Sequence, residues 1–343
     1  MNRYITYAGV TGRGSSHDHN EDAVLVQRQV HMGESQFRGS HAEALWGLAV
    51  VDGMGGNNGG EVASETAAKH LATWRDWSPD AVTAGLKECN WELYDLGRQS
   101  PALAGLGATI AGLAYSNGAL HAFNVGDARV YRFSGGYLKP LTRDDSLHQV
   151  LVDAGKASGD RSAAQHTILQ SLGGRPEFME IEPHLYPITL QPSMRFVVCT
   201  DGITDMLDMD AMEAALQKEK EVEGAARALY EAALAAGGKD NLSVIVLDVE
   251  AEPPRREAEA LKSVEGHLQY RQHAADSKSD SRRPHLLTSA GRVVRLHRTG
   301  NNPFAEDEFR PLEGRLCRVT GNWNEIEQMF LVSEIQPLDG GSP

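Results

Sequence analysis

The chain is poor in cysteine, in aromatic residues and in long apolar runs, and each shortage closes off a class of protein. Its three cysteines, Cys89, Cys199 and Cys317, are odd in number and far apart. They form neither a disulfide framework nor a zinc knuckle, which suits a reducing compartment. No apolar stretch approaches the ~20 residues needed to cross a bilayer, so membrane insertion is not expected. The opening MNRYITYAGV lacks the charge and core pattern of a signal peptide, and a cytoplasmic protein is the expectation. Aromatics make up only 6% of residues, whereas 35 glycines and 14 prolines punctuate the chain. Short elements joined by tight turns follow from that balance.

Basic residues are also in deficit, with 33 Lys and Arg against 47 Asp and Glu and a formal net charge of −14. A surface this acidic is a poor nonspecific ligand for polyanions, and no nucleic-acid partner is expected. The imbalance is local: residues 1–250 hold 33 acidic and 20 basic side chains, whereas residues 251–343 hold 14 and 13. An acidic excess keeps a surface soluble. Carboxylates gathered around divalent cations would also produce it, so the positions of the acids matter.

Residues 1–250 read as alternating strands and helices. Trp46–Asp52 (WGLAVVD) is an apolar run bounded by glycines, as a buried strand should be. Apolar residues at helical spacing predict helices over Gly60–Trp77 and Asp80–Leu96, with Asp80 placed to cap the second. Four short strands follow: Ala108–Tyr115, Ala119–Val125, Ala128–Phe133 and Tyr137–Leu141. Ser116–Gly118 and Ser134–Gly136 between them are hairpin chemistry, so antiparallel pairing is expected. Further on come a helix at Ser146–Ala154, a polar stretch to about Met194 and a buried strand at Arg195–Thr200. Helices at Met209–Glu221 and Glu223–Ala236 and a strand at Leu242–Val249 close the block. Residues 251–285 have the Pro-, Ser- and charge-rich composition of a flexible linker, into which the basic run from Arg271 to Arg298 extends. Strand-like runs in residues 286–343 predict a small β-rich extension, either a module or an added hairpin.

Several acids stand at strand ends beside glycine or asparagine: Glu21 and Asp22 (NED), Asp52 (VVDGMGG), Asp127 (NVGDARVY), Asp201 (CTDGITD) and Asp240 (KDNLSVIV). One Asp-Gly is only a turn signal. Here the arrangement recurs, and strand ends of packed sheets converge on one rim. A shared carboxylate site is unstable bare, because adjacent like charges raise one another's pKa values. Divalent cations would neutralise it, and all-oxygen donors suit Mg²⁺ or Mn²⁺ better than zinc or copper. Gly53 would let its backbone carbonyl approach a cation unobstructed. Two such ions ~4 Å apart would activate a bridging water and hold phosphoryl oxygens for in-line attack, which points to phosphate-ester hydrolysis.

The ordered set NED, VVDGMGG, GATIAGLAY, NVGDARVY, LTRDDSL, VVCTDGITD and KDNLSVIV, over roughly residues 5–250, resembles the metal-dependent protein serine/threonine phosphatases (the PPM or type 2C family) in their compact bacterial form. The resemblance implies an αββα sandwich of two antiparallel sheets flanked by helices. It implies hydrolysis of phosphoserine and phosphothreonine in proteins by direct attack of water, without a phosphoenzyme, opposed by a serine/threonine kinase. By the same resemblance Asp52 bridges two catalytic metals and the Gly53 carbonyl ligates the first. Asp201 and Asp240 hold the second, Glu21 and Asp22 contribute directly or through water, and Asp127 with Asp201 forms a third site. Asn241 would position the Asp240 loop, Thr109 would be the small hydroxyl near the site, and residues 145–185 would form a flap. Cys199, on an apolar strand with no arginine at cysteine-phosphatase spacing, reads as a core thiol. Asp208 reads as a helix cap.

One departure stands out. The family usually has an arginine four residues before the glutamate of NED, binding substrate phosphate. This chain has His17 there and Arg13 four residues earlier, so the cationic role falls to one of these or is weakened. That weakness is the sole support for an alternative, a poorly active or inactive phosphoprotein-binding module. Met54 stands where some eukaryotic members have a histidine proposed as general acid. Arginine offers a permanently charged bidentate fork, whereas histidine, with an ordinary pKa of ~6.5, is only partly charged at neutral pH. Weaker substrate binding and a steeper pH dependence are therefore expected than in an Arg-bearing relative. Comparing pH–rate profiles of the wild type and His17→Arg checks this, and superimposable profiles would dismiss it.

Overall fold

A computed structural model of the chain describes residues 3–55, 59–155, 167–251, 262–272, 282–289, 291–298, 306–324 and 329–338. It divides into two units, Met1–Pro254 and Arg255–Pro343. Among the described residues no helix is long and apolar enough to cross a membrane.

Side-chain alternation dictates the layers of the first unit. In the strand Asp22–Val26, Val24 and Val26 enter one core while Ala23 and Leu25 enter another, all fully buried. A strand buried on both faces needs a layer on each side. In chain order the elements are β1 (Arg3–Gly12), β2 (Asp22–Val26), β3 (Gln29–Met32), β4 (Ser35–Glu43), β5 (Leu45–Met54), α1 (Gly59–Ala72) and α2 (Pro79–Gln99). Next come β6 (Gly107–Ser116), β7 (Ala119–Val125), β8 (Arg129–Ser134), β9 (Tyr137–Pro140), α3 (Leu147–Asp153), β10 (Leu172–Gly173) and β11 (His184–Ile188). The unit ends with β12 (Ser193–Cys199), α4 (Asp201–Met206), α5 (Met209–Lys218), α6 (Val222–Ala235) and β13 (Leu242–Glu250). One sheet runs β4-β1-β13-β12-β8-β9 and the other β11-β7-β6-β5-β2-β3, with β10 beside β6. Their pairings are antiparallel throughout.

Three cores separate four layers, the αββα sandwich expected. Leu48, Val50, Trp46 and Leu113 meet Phe196, Val198, Ile245 and Leu247 between the sheets. Ala63, Leu71, Leu86 and Leu93 of α1 and α2 cover the outer face of one sheet. Ile203, Met212, Leu216 and Leu229 of α4–α6 cover the other. The chain crosses from one sheet to the other between β1 and β2, β3 and β4, β4 and β5, β7 and β8, β9 and β10, and β11 and β12. Asp22 and Asp127 stand at two of these crossings.

The predicted hairpins form. Asn117 (φ 51°) and Gly118 (φ 87°) turn β6 into β7, and Gly135 (φ 63°) and Gly136 (φ 89°) turn β8 into β9, the left-handed pairs that match strand twist. Some boundaries differ. Asp80 is not the cap of α2; Ser78 is, its hydroxyl accepting from the Ala81 N–H, with Pro79 opening the helix and Asp80 in its first turn. The helix predicted through Trp77 stops at Ala72, because Trp77 lies flat against Gly47, where a Cβ would come within 2.3 Å of the indole. A short helix, α4, begins at Asp201, where no helix was expected. Residues 156–166 of the expected flap lie outside the described residues.

The second unit contains β14 (Lys262–Gln272), β15 (Arg282–Thr288), β16 (Val293–Arg298), a 3₁₀ segment at Glu306–Leu312, β17 (Leu316–Asn324) and β18 (Met329–Pro337). They close into a barrel of order β14-β15-β16-β18-β17 around Leu268, Leu286, Leu296, Val319 and Phe330. This corrects the expected 251–285 linker and the 286 start of the extension: β14 and the start of β15 lie inside that span. Period-two alternation is present there but thin, since buried Gly266 and Leu268 sit between exposed Glu265 and His267 in a charged stretch. Residues 252–261 and 273–281 of the expected linker lie outside the described residues.

Phe196 is fully buried between the two sheets. Phe196→Ala should cost about 3–5 kcal/mol, read as a lower urea midpoint with an unchanged slope. A loss under about 1 kcal/mol would contradict the layered packing.

Candidate active site

The acids arrive at one rim by strand register. Pairing of β2 with β5 sets Asp22 opposite Asp52, and pairing of β5 with β6 sets Asp52 opposite Thr109. Beyond Asp52 the ladder tightens: the Gly53 N–H donates to the Glu21 carbonyl at 3.2 Å. A Cβ on Gly53 would lie 2.0 Å from the Gly60 carbonyl oxygen and 2.6 Å from that of Glu21, so glycine is required by close approach. Asp127 follows Gly126, whose φ of 98° only glycine adopts easily, in the crossing from β7 to β8. Asp201 opens α4 after β12, and Asp240 precedes β13, which pairs with both β12 and β1.

Electrostatics shows that these groups feel one another. Burial pushes the Asp22 carboxyl up to about 7, hydrogen bonds from Ser243 and Thr200 oppose the rise, and Asp201 and Asp240 add to it. Asp52 is held well above the ordinary carboxylate range by burial first, then by Asp201, Asp22, Asp127 and Asp240. Asp127 is raised likewise by burial, Asp201 and Asp144, with Arg129 pulling the other way. Asp201 thus lies within electrostatic reach of Asp22, Asp52 and Asp127, and Asp240 of Asp22 and Asp52. Among the described residues no three His, Cys, Asp or Glu side chains are drawn tightly enough to hold an ion as they stand. The donor set nevertheless fits a hard cation in kind: carboxylate oxygens around a glycine backbone stripped of side-chain bulk.

A hydrogen-bonded frame fixes the acids, and most of it was not foreseen. Thr200 Oγ1 donates to Asp22 Oδ2 at 3.0 Å and accepts from the Ser243 N–H at 3.2 Å. Ser243 and Thr11 share a hydroxyl contact of 2.7 Å, and the Asn20 amide donates to Thr11 at 2.8 Å. The Asn241 side chain ties down the segment before β2: its Oδ1 accepts from the Glu21 N–H at 2.7 Å, and its Nδ2 donates to the carbonyls of Arg13 and His19, both at 3.1 Å. Arg129 grips Asp144 through Nε and Nη2. Asp145 accepts from the Gly126 N–H and from Gln170, and lies 2.8 Å from His184. The hydroxyl partners of Asp22 had one faint signal, Thr200 standing directly before Asp201.

His17 Nε2 lies 3.3 Å from Asp240 Oδ1, inside the acidic rim. Arg13 instead approaches Glu34, Nε to Oε1 at 3.8 Å, and its N–H donates to the same carboxylate. His19 is about half exposed and lies 3.0 Å from Glu21. Cys199 is fully buried, and burial pushes its thiol up to about 12, an inert core group as read. Asp208 caps α5 by accepting from the Ala211 N–H.

A four-layer sandwich with acids on one rim has clear counterparts. The family model described as protein phosphatase 2C matches residues 33–237. The chain is 30% identical over 253 residues to the serine/threonine protein phosphatase PstP of Mycobacterium tuberculosis, covering 71% of this chain and 45% of that protein. It thus spans less than half the length of that curated relative. It is 27% identical over 261 residues to the serine/threonine phosphatase stp of Listeria monocytogenes, covering 72% and 97%. The solved catalytic domain of PstP in complex with two manganese ions matches with a TM-score of 0.59 at 30% identity, over 72% of this chain and 99% of that one. The chain belongs to the protein phosphatase 2C family.

A carboxyl whose pKa is raised on folding binds more protons folded than unfolded. For Asp22 that holds between its ordinary value, near 4, and about 7, so stability falls as pH rises through that window. In EDTA, Asp22→Asn should melt on the order of 5 °C above wild type at pH 8 and close to it at pH 5. Scanning fluorimetry reads the difference; a variant less stable than wild type at pH 8 would contradict the assignment.

Proposed function

We propose that the chain hydrolyses phosphoserine and phosphothreonine esters in proteins with Mg²⁺ or Mn²⁺ at the acidic rim. The observation that carries this reading is the meeting of acids from five separate chain segments: Asp201 raises the proton affinity of Asp22, Asp52 and Asp127, and Asp240 raises that of Asp22 and Asp52. Asp52, the Gly53 carbonyl, Asp201 and Asp240 would hold two ions, with Glu21 and Asp22 directly or through water, and Asp127 with Asp201 a third. When bound, such cations supply Lewis-acid activation of water and charge neutralisation at the phosphoryl oxygens. The chain's own part is positional. Thr200 and Ser243 orient Asp22, Asn241 ties the Glu21 and Asp240 segments together, and Gly53 keeps the backbone open.

His17 beside Asp240 and Arg13 beside Glu34 are the two candidates for the substrate phosphate, and each would have to share or give up its carboxylate neighbour. The inert Cys199 thiol supports direct attack by water over a covalent phosphocysteine. Relatives named serine/threonine phosphatases support protein substrates, and an opposing serine/threonine kinase is the partner that such a reaction requires.

Titrating Mn²⁺ into the purified chain with a phosphothreonine peptide should give saturable turnover, reduced by at least roughly 100-fold in Asp52→Asn. Silence at every metal concentration, with Asp52→Asn indistinguishable from wild type, would favour the phosphoprotein-binding module.

A further inference from the structure

The second unit offers a surface of its own. Its strands close in the order β14-β15-β16-β18-β17, antiparallel except for the parallel pair β16–β18. Counted within the unit, that is first-second-third-fifth-fourth, the order of the OB barrel that binds oligonucleotides and oligosaccharides across its second and third strands. The 3₁₀ segment Glu306–Leu312 lies between the third and fourth strands and plugs the barrel with Phe309, 1% exposed.

Charge is divided across this barrel. From Lys262 to Arg298 the sequence holds eight basic and three acidic residues; from Glu306 to Leu338 it holds three and seven. The first three strands are thus the basic side. Alternation against buried Leu268, Leu286, Val294 and Leu296 turns His267, His285, Leu287, Val293 and Arg295 outward. Register aligns Gln269, His285 and Arg295 across the three strands, and sets Arg271 opposite Arg283 two residues further along. Arg292 stands exposed at the turn into β16, and Val293 is 42% exposed. Arg292 and Arg295 with Leu287 and Val293 beside them offer cations for a phosphodiester backbone and apolar surface for bases to lie on, while the one described acid of this face, Glu265, is neutralised by Arg318 of β17. The whole-chain charge concealed this, because residues 1–250 carry nearly all the acidic excess.

We propose that the outer face of β14–β16 binds single-stranded nucleic acid through its phosphates, with little sequence preference. Anisotropy of fluorescein-labelled oligo(dT) and oligo(U) of roughly 15 nucleotides, titrated with the full chain, tests it. Binding should saturate at about 50 mM salt and weaken steeply towards about 200 mM. Replacing Arg292 and Arg295 together by Gln should lower affinity about tenfold and flatten the log–log salt slope by about 1.4, the share of two phosphate contacts. Arg98→Gln with Arg227→Gln, an exposed pair on α2 and α6, should leave binding unchanged, and neither pair should alter hydrolysis of p-nitrophenyl phosphate. Should the Arg292/Arg295 variant melt early, Arg292→Gln alone carries the test, with a smaller loss. No saturable binding, equal loss in the Arg98/Arg227 pair, or equal affinity for duplex would overturn the proposal. Equal competition by a polyglutamate peptide would overturn it too, and would assign the face to acidic protein segments.

Discussion

Repulsion among buried carboxylates is the constraint around which the first unit is organised. Asp22 is 1% exposed and Asp127 6%, yet each has another acid as an electrostatic neighbour. Left to itself such a cluster would swing its side chains towards water or protonate. The frame resists the first course by anchoring the backbone on both sides of each acid. Strand register fixes Asp22 and Asp52, the Gly126 turn fixes Asp127, and the start of α4 fixes Asp201. Hydrophobic packing between the sheets makes these anchors rigid, since a one-residue slip in β2 or β5 would exchange its inner and outer faces. The cores therefore stabilise the fold and also hold an arrangement that electrostatics alone opposes.

How much of this could be read in the sequence depended on distance along the chain. The motif VVDGMGG was legible because everything it expresses is local: an apolar run, an acid at its end, glycines where backbones converge. The same holds for the hairpins at Asn117-Gly118 and Gly135-Gly136, whose positive φ values the residues themselves favour. The partners of Asp22 were not legible, because Thr200 and Ser243 are 178 and more residues away: the β12–β13 pairing brings those two together, and they meet Asp22 of β2 only where the two sheets face each other. Nor was α4, since Asp201-Gly202 satisfies turn and helix start alike, and only its packing against the outer sheet face decides. Strand β14 was lost for the opposite reason: its pattern is local but is diluted by exposed charge such as Glu265.

The loop Arg13–Asn20 shows which contacts organise and which accompany. A Cβ on Gly14 would lie 2.0 Å from the Asp240 carbonyl oxygen, and the Ser15 N–H donates to Gly238 at 2.7 Å. Asn241, buried and bonded to Glu21, Arg13 and His19, completes the clamp. The ion pairs of the same loop are weaker fasteners. Arg13 and Glu34 are both more than half exposed, as is Asp240 beside His17, and exposed pairs contribute well under 1 kcal/mol.

It follows that the position of His17 is set by backbone and amide contacts rather than by its attraction to Asp240. A cation of different shape at that position would meet an unchanged frame, so differences in phosphate binding between this chain and an arginine-bearing relative would report the chemistry of the cation itself. The same separation of frame from charge recurs in the barrel. There Leu268, Leu286, Val294 and Leu296 hold the strands from inside, and the charged residues lie on the other face of the same strands.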